Sequence, residues 1–196
     1  MLGRVMCAVL AAGLMQTAAA VTVGAPAPDF AAVDSNGVTH RLSDFRGKRV
    51  VLEWTNHGCP FVQRHYNSGN MQALQEEMTD DGHVWLSVIS SAPGTQGHVS
   101  PEKANALTDS RDAAPTAVLL DASGEVGRAY EAATTPHMYV IDGDGTLVYK
   151  GAIDDSPYGR GEPKNYVRMA VNSLTQGQPV DPASTRPYGC SVKYAN

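Results

Sequence analysis

Arg49-Val50-Val51-Leu52-Glu53-Trp54-Thr55-Asn56-His57-Gly58-Cys59-Pro60-Phe61-Val62 passes from a β-branched and aromatic run, through a short polar loop, into a helix start. The run from Arg49 to Thr55 has the pattern of a strand covered on both faces. Pro60 suits the first turn of a helix, where its missing N–H costs nothing. Cys59 stands at the junction. A thiolate there meets unpaired backbone N–H groups and the positive end of the helix dipole, which pull its pKa below the free value of about 8.5. Cys59 is therefore a candidate nucleophile toward a disulfide, a sulfenic acid or a peroxide. The competing reading is a small buried hydrophobe, as free cysteines often are.

Toward the N-terminus, two apolar-alternating arms, Phe30 to Asp34 and Val38 to Leu42, flank Ser35-Asn36-Gly37 and predict a hairpin. Toward the C-terminus, Phe61, Met71, Leu74 and Met78 continue a helix, broken near Asn67-Ser68-Gly69. A strand follows over His83 to Ser90, then a helix from Pro101 to Arg111 capped by Ser100. Ala117 to Asp121 predicts a short strand and Gly124 to Ala132 a short helix. His137 to Asp142 and Thr146 to Ile153 predict a hairpin about Gly143-Asp144-Gly145. Pro163 to Gln176 predicts the last helix, with Gly177 as its stop. This alternation argues an α/β fold, a central mixed sheet flanked by helices, with an N-terminal hairpin and an extended C-terminal tail.

Residues 1–20 carry Arg4, an apolar stretch from Val5 to Met15 and the small end Ala18-Ala19-Ala20, the pattern of a cleaved secretory signal. The apolar core is well short of the roughly twenty residues that span a bilayer, and no other segment approaches that length. A soluble protein of the periplasm or the cell exterior is expected, with one domain over residues 21–177 and a Pro-rich tail over residues 178–196. The formal charge of −5 is modest and the basic residues are scattered, so neither nucleic acid nor an anionic membrane is an expected partner. Cys7 lies in the signal, which leaves Cys59 and Cys190 in a compartment where disulfides persist.

Several segments in order resemble the thioredoxin-fold superfamily, in its redoxin and peroxiredoxin-like (AhpC/TSA-type) branch. They are Gly24-Ala25-Pro26-Ala27-Pro28-Asp29-Phe30, Leu42-Ser43-Asp44-Phe45-Arg46-Gly47-Lys48, Val50 to Trp54 before Cys59-Pro60, Thr134-Thr135-Pro136-His137, and Tyr139-Val140-Ile141-Asp142-Gly143-Asp144-Gly145. The resemblance implies a cis bond before Pro136, in a loop that faces Cys59. With Pro60, Thr135 and Pro136 would then bind substrate, the Thr135 backbone being free to pair with an extended segment. It also implies that Glu53 stands where thioredoxins hold a buried acid, a candidate proton acceptor. The alternative for Glu53 is a strand-end side chain reaching solvent or Arg49.

The departures narrow this reading. Val62 stands where a thioredoxin carries its second cysteine, so the disulfide within the helix cannot form. Asn56 and Leu52 stand where a peroxiredoxin has Thr or Ser and Pro ahead of its peroxidatic cysteine. Cys59 thus reads as the first thioredoxin cysteine retained alone, with Cys190 left open as a resolving cysteine, a static bridge or a buried thiol. A bridge closing so long a loop would contribute roughly 4–5 kcal/mol in the chain-entropy model. His57, His65 and His137 are candidates to approach Cys59 and stabilise its thiolate. With Met138 they also motivate a second function, a copper-binding or metal-delivery domain. A third is a non-catalytic interaction domain that keeps the cis-proline groove. Asp154-Asp155 reads as a turn or cap rather than a metal site.

The leading expectation is an exported thiol-dependent oxidoreductase or peroxiredoxin-like antioxidant protein without a cofactor. It would act on protein thiols and disulfides, or on a small oxidised-sulfur or peroxide substrate, and be recycled by an external thiol.

Overall fold

The computed structural model describes residues 21–195; the predicted signal, residues 1–20, lies outside the described residues. Val21 onward leads into a hairpin of β1 (Ala31–Val33) and β2 (Thr39–Arg41), paired Ala31 to Arg41 and Val33 to Thr39. The turn between them is Ser35-Asn36-Gly37, as the sequence suggests: the Asp34 amide bonds to the Val38 carbonyl at 2.8 Å, and the Asp34 carboxylate accepts the amides of Asn36 and Val38 at 2.8 and 2.9 Å.

The central strand β3 (Val50–Trp54) is buried at every position. It leads to α1 (Pro60–Asn67) and α2 (Asn70–Asp80), which are separated at Gly69, in the left-handed conformation with φ 74°. β4 (Val84–Ile89) follows, then α3 (Pro101–Ser110), where Ser100 accepts the Lys103 amide as N-cap. Next come β5 (Ala117–Leu120), α4 (Glu125–Ala129) and the two-residue β6 (Thr134–Thr135). β7 (His137–Ile141) and β8 (Leu147–Gly151) form the second hairpin, and α5 (Tyr166–Thr175) follows. α5 begins later than the pattern from Pro163 predicts, because the Asn165 side chain accepts the Arg168 amide at 2.9 Å and fixes the start there. The tail ends in β9 (Cys190–Ser191).

Five strands form one mixed sheet in the order β5-β4-β3-β7-β8, with β3 parallel to β4 and antiparallel to β7. This is the thioredoxin-like architecture. Period-two alternation sends β3 to two cores. Val50, Leu52 and Trp54 pack with Phe30, Tyr130 and Tyr139, under the N-terminal hairpin and α4. Val51 packs on the other face with Met71, Met78, Trp85 and Val171, under α1, α2 and α5. No helix among the described residues is long and apolar enough to cross a membrane.

The tail is pinned along its course rather than mobile. Lys150 at the edge of β8 bonds through its main chain to Ala183 and Thr185, and the Thr185 hydroxyl accepts the Ala152 amide. Tyr188 then drops its hydroxyl into a buried polar cluster, β9 pairs with β6, and Tyr194 donates to the Ala132 carbonyl at 2.8 Å.

Candidate active site

β3 delivers the chain to Thr55, whose amide bonds to the Val88 carbonyl at 3.0 Å, and Asn56 then closes a tight loop. Its side-chain oxygen accepts the Gly58 amide at 2.9 Å while its carbonyl accepts the Cys59 amide at 3.0 Å. A Cβ at Gly58 would press on the Gln96 side chain, which would have to shift. Cys59 is thereby fixed as the N-cap of α1, with extended backbone (φ −81°, ψ 123°) and Pro60 at the first helical position.

The sulfur is wholly buried. It lies 3.1 Å from the carbonyl oxygen of Thr135 and 2.7 Å from the sulfur of Cys190. Both cysteines are free thiols in this structure. Burial works against a Cys59 thiolate, but hydrogen bonds from the Cys190 thiol, the Val62 amide, the Cys190 amide and Thr135 outweigh it and hold the Cys59 pKa below its ordinary value. Cys190 moves the other way, raised by partial burial and by its hydrogen bond to, and the charge of, Cys59, with Lys193 opposing. The pair is unequal: of the two sulfurs, Cys59 loses its proton the more readily.

The peptide bond before Pro136 is cis. The Thr135 backbone is not free, which corrects the expectation of an open edge. Thr134 pairs with Ser191 and Thr135 with Cys190, so the chain's own tail fills the place predicted for an extended substrate. Gly189 permits this approach, because with φ 142° and no side chain it passes against the Thr135 carbonyl, where a Cβ would collide. Cys59 is likewise not solitary.

Glu53 is completely buried and does not reach solvent; Arg49 binds Thr175 and His83 instead. Its carboxylate accepts from Tyr66, Gln75, Trp85 and Ser87 at 2.8–3.2 Å. Four neutral donors from α1, α2 and β4 satisfy its oxygens, which is what its burial demands. Neither sulfur is among its hydrogen-bond partners. A cavity of about 30 Å³, lined in part by Thr55, His57, Tyr66, Ser87 and Arg111, lies beside two of those donors and has room for water.

The histidines do not stabilise the thiolate. His57 is partly buried, which with Arg111 and Lys103 lowers its pKa. Burial takes His65 and His137 down to about 4. His65 is held by Asn70, Arg64 and Tyr188, and His137 accepts the Ala133 amide. No group of three metal-ligating side chains comes together among the described residues. Asp154 makes the expected turn, its carboxylate accepting the Ser156 amide at 2.9 Å, but it is also buried, at 2% exposure, and accepts the Tyr188 hydroxyl at 2.5 Å, with Arg64 at 3.9 Å. Sequence reasoning missed this anchor of the tail and the Glu53 donors, for neither of which a local pattern exists, whereas the Val62 amide is one of the helix-start N–H groups expected to support Cys59.

A thioredoxin-like sheet, a helix-start cysteine and a cis-proline loop define the class of protein. The chain belongs to the AhpC/TSA family, whose model matches residues 23–150. The thiol-disulfide oxidoreductase ResA of Geobacillus kaustophilus is 29% identical over 135 residues, which make up 65% of this chain and 68% of that protein. Among solved structures, an uncharacterized conserved protein from Geobacillus kaustophilus superposes with a TM-score of 0.80 at 29% identity, over 89% of this chain and 93% of that one. The pneumococcal exposed lipoprotein thioredoxin Etrx1 gives a TM-score of 0.53 at 25% identity, over 74% of this chain and 99% of that one. The family match stops at Lys150, before α5 and the Cys190 tail.

Proposed function

We propose that this chain is an exported thiol-disulfide oxidoreductase whose cycling pair is Cys59, at the start of α1, and Cys190, in the C-terminal tail. The observation that carries the reading is the 2.7 Å sulfur separation combined with the opposite pKa shifts, Cys59 lowered and Cys190 raised. Such a pair is arranged to form a disulfide and to release it by exchange, in keeping with the similarity to the thiol-disulfide oxidoreductase ResA. Protein thiols and disulfides are the substrates, and an external thiol returns the pair to its reduced form. Disulfide exchange is favoured over peroxide reduction, because a sulfur sealed beneath Cys190 has no open face for peroxide, and Asn56 and Leu52 replace the peroxidatic motif. Residues 1–20 serve as the leader to the periplasm or exterior, residues 21–177 as the domain and residues 178–196 as the arm that delivers Cys190.

Pro60, Thr135 and Pro136 form the wall against which the paired sulfurs, and any mixed disulfide, are held. Glu53 acts at one remove as proton acceptor, through its bound donors and the water-sized cavity beside Tyr66 and Ser87. The test is turnover of insulin disulfide with a dithiol reductant, alongside hydrogen peroxide consumption, in the wild type, Cys59→Ser and Cys190→Ser. Both variants should lose insulin reduction. A Cys190→Ser protein that turns over insulin at the wild-type rate would remove Cys190 from the cycle.

A further inference from the structure

Resting on the reading of Cys59 and Cys190 as the redox pair, we propose that an outside thiol enters the oxidised protein at Cys190, with Cys59 as the leaving sulfur. In a thioredoxin-like site the helix-start cysteine is the expected point of contact, but here access is reversed. Cys59 is 0% exposed, packed with Val62, Met138 and Ile153 and covered by the Thr135 carbonyl. Cys190 is partly exposed. The two residues preceding it, Tyr188 and Gly189, line a cleft of about 740 Å³ together with Phe61, Thr134, Tyr158 and Arg186.

Thiol-disulfide exchange proceeds in line, the attacking sulfur approaching from the side opposite the sulfur that leaves. Cys59 is wholly buried among core side chains while Cys190 is partly exposed, so an attacking thiol coming from solvent meets Cys190 first. The leaving-group preference points the same way: exchange is faster when the departing thiol has the lower pKa, and the Val62 amide at the start of α1 stabilises charge on Cys59.

The step balances without a further reactant. A thiolate RS⁻ bonds to the Cys190 sulfur, the bond between Cys59 and Cys190 breaks, and its electron pair departs on Cys59 as thiolate. A second RS⁻ attacks the R sulfur of the mixed disulfide, RSSR leaves, and the Cys190 thiolate takes up a proton. Two thiols are oxidised and one protein disulfide is reduced.

Reduced glutathione is the probe. The oxidised protein is mixed with it, quenched in acid, labelled with N-ethylmaleimide and mapped by peptide mass. Glutathione should be found on the Cys190 peptide and maleimide on the Cys59 peptide. Glutathione on the Cys59 peptide instead overturns the order of attack and leaves the redox pair standing. If oxidation yields no Cys59–Cys190 disulfide, the reading of the pair falls and the order of attack falls with it. A second arm uses reduced Cys190→Ala, in which Cys59 should react slowly with dithiobis(nitrobenzoate), and the double variant Gly189→Ala/Cys190→Ala, in which the undocked tail should release it to react fast. Equal rates in the two would show that the tail does not shield Cys59, and would also overturn the proposal.

Discussion

Val62 occupies the place where a second helix cysteine would stand, and the main chain of that same residue supports the first cysteine. Its amide is one of the unpaired donors of the α1 start, so losing a cysteine side chain there leaves the stabilisation of the Cys59 thiolate intact. Glu53 makes the complementary point. Its carboxylate is the shared acceptor for Tyr66, Gln75, Trp85 and Ser87, and removing it strands four buried donors at once. Glu53→Ala is expected to cost at least about 3 kcal/mol, by unpaired donors plus a cavity. Glu53→Gln should fall between it and the wild type, because one amide oxygen still accepts while the NH₂ faces other donors. Urea unfolding of the three proteins checks the order, and a Glu53→Ala protein as stable as the wild type would contradict the network.

At the scale of elements, the tail depends on Tyr188. Its hydroxyl meets Asp154 at 2.5 Å, Arg64 at 3.0 Å and His65 at 3.0 Å, so one side chain ties the segment before β9 to α1 and to the turn after β8. Tyr188→Phe keeps the ring against Phe61 but leaves buried Asp154 without its shortest donor. A loss of about 1–3 kcal/mol is expected, with faster tryptic cleavage in the tail than in the wild type. Unchanged cleavage would mean that β6–β9 pairing alone holds the tail.

These elements differ in how far the sequence disclosed them. β3, the Ser100 cap and the Gly69 break were legible because each has a local signal: a β-branched run, a hydroxyl before a proline, a glycine between apolar stretches; the cis bond before Pro136 was implied by the family resemblance. The docking of residues 190–191 on residues 134–135 has none. Two-residue strands carry no periodicity, and their pairing is set by Gly189 and Tyr188 reaching across the fold. The same distance in sequence hid the Glu53 donors, each unremarkable in its own segment. Both cysteines were identifiable, but whether they meet is a matter of three-dimensional approach alone.

For the whole molecule, joining Cys59 to Cys190 would close a loop of 131 residues and restrict the unfolded chain strongly. In the chain-entropy model this stabilises the oxidised form by roughly 4–5 kcal/mol, which for a domain of this size raises the thermal midpoint by about 10 °C or more. Differential scanning calorimetry of both redox forms tests it, and identical midpoints would show that no such bridge forms. Acid should destabilise the fold through its buried histidines. His65 and His137 have folded pKa values of about 4, against 6.5 for an unperturbed histidine, because burial disfavours the imidazolium. The unfolded chain therefore binds their protons first. The stability they contribute is whole above pH 6.5 and is lost as pH falls toward about 4, on the order of 3 kcal/mol for each. Urea midpoints measured from pH 7 to pH 4 should follow that slope, and His137→Gln should flatten it.

The pairing of β9 with β6 also sets a concentration threshold for recognition. A strand tethered to the same chain competes at an effective concentration on the order of millimolar, so a free peptide at micromolar levels cannot displace it by backbone pairing alone. Residence beside Pro136 is open only to a partner that becomes part of the same molecule first, by bonding to sulfur. Under the proposed order of attack, selectivity would then be kinetic, decided by which thiol reaches Cys190, with groove contacts contributing only after the covalent bond exists.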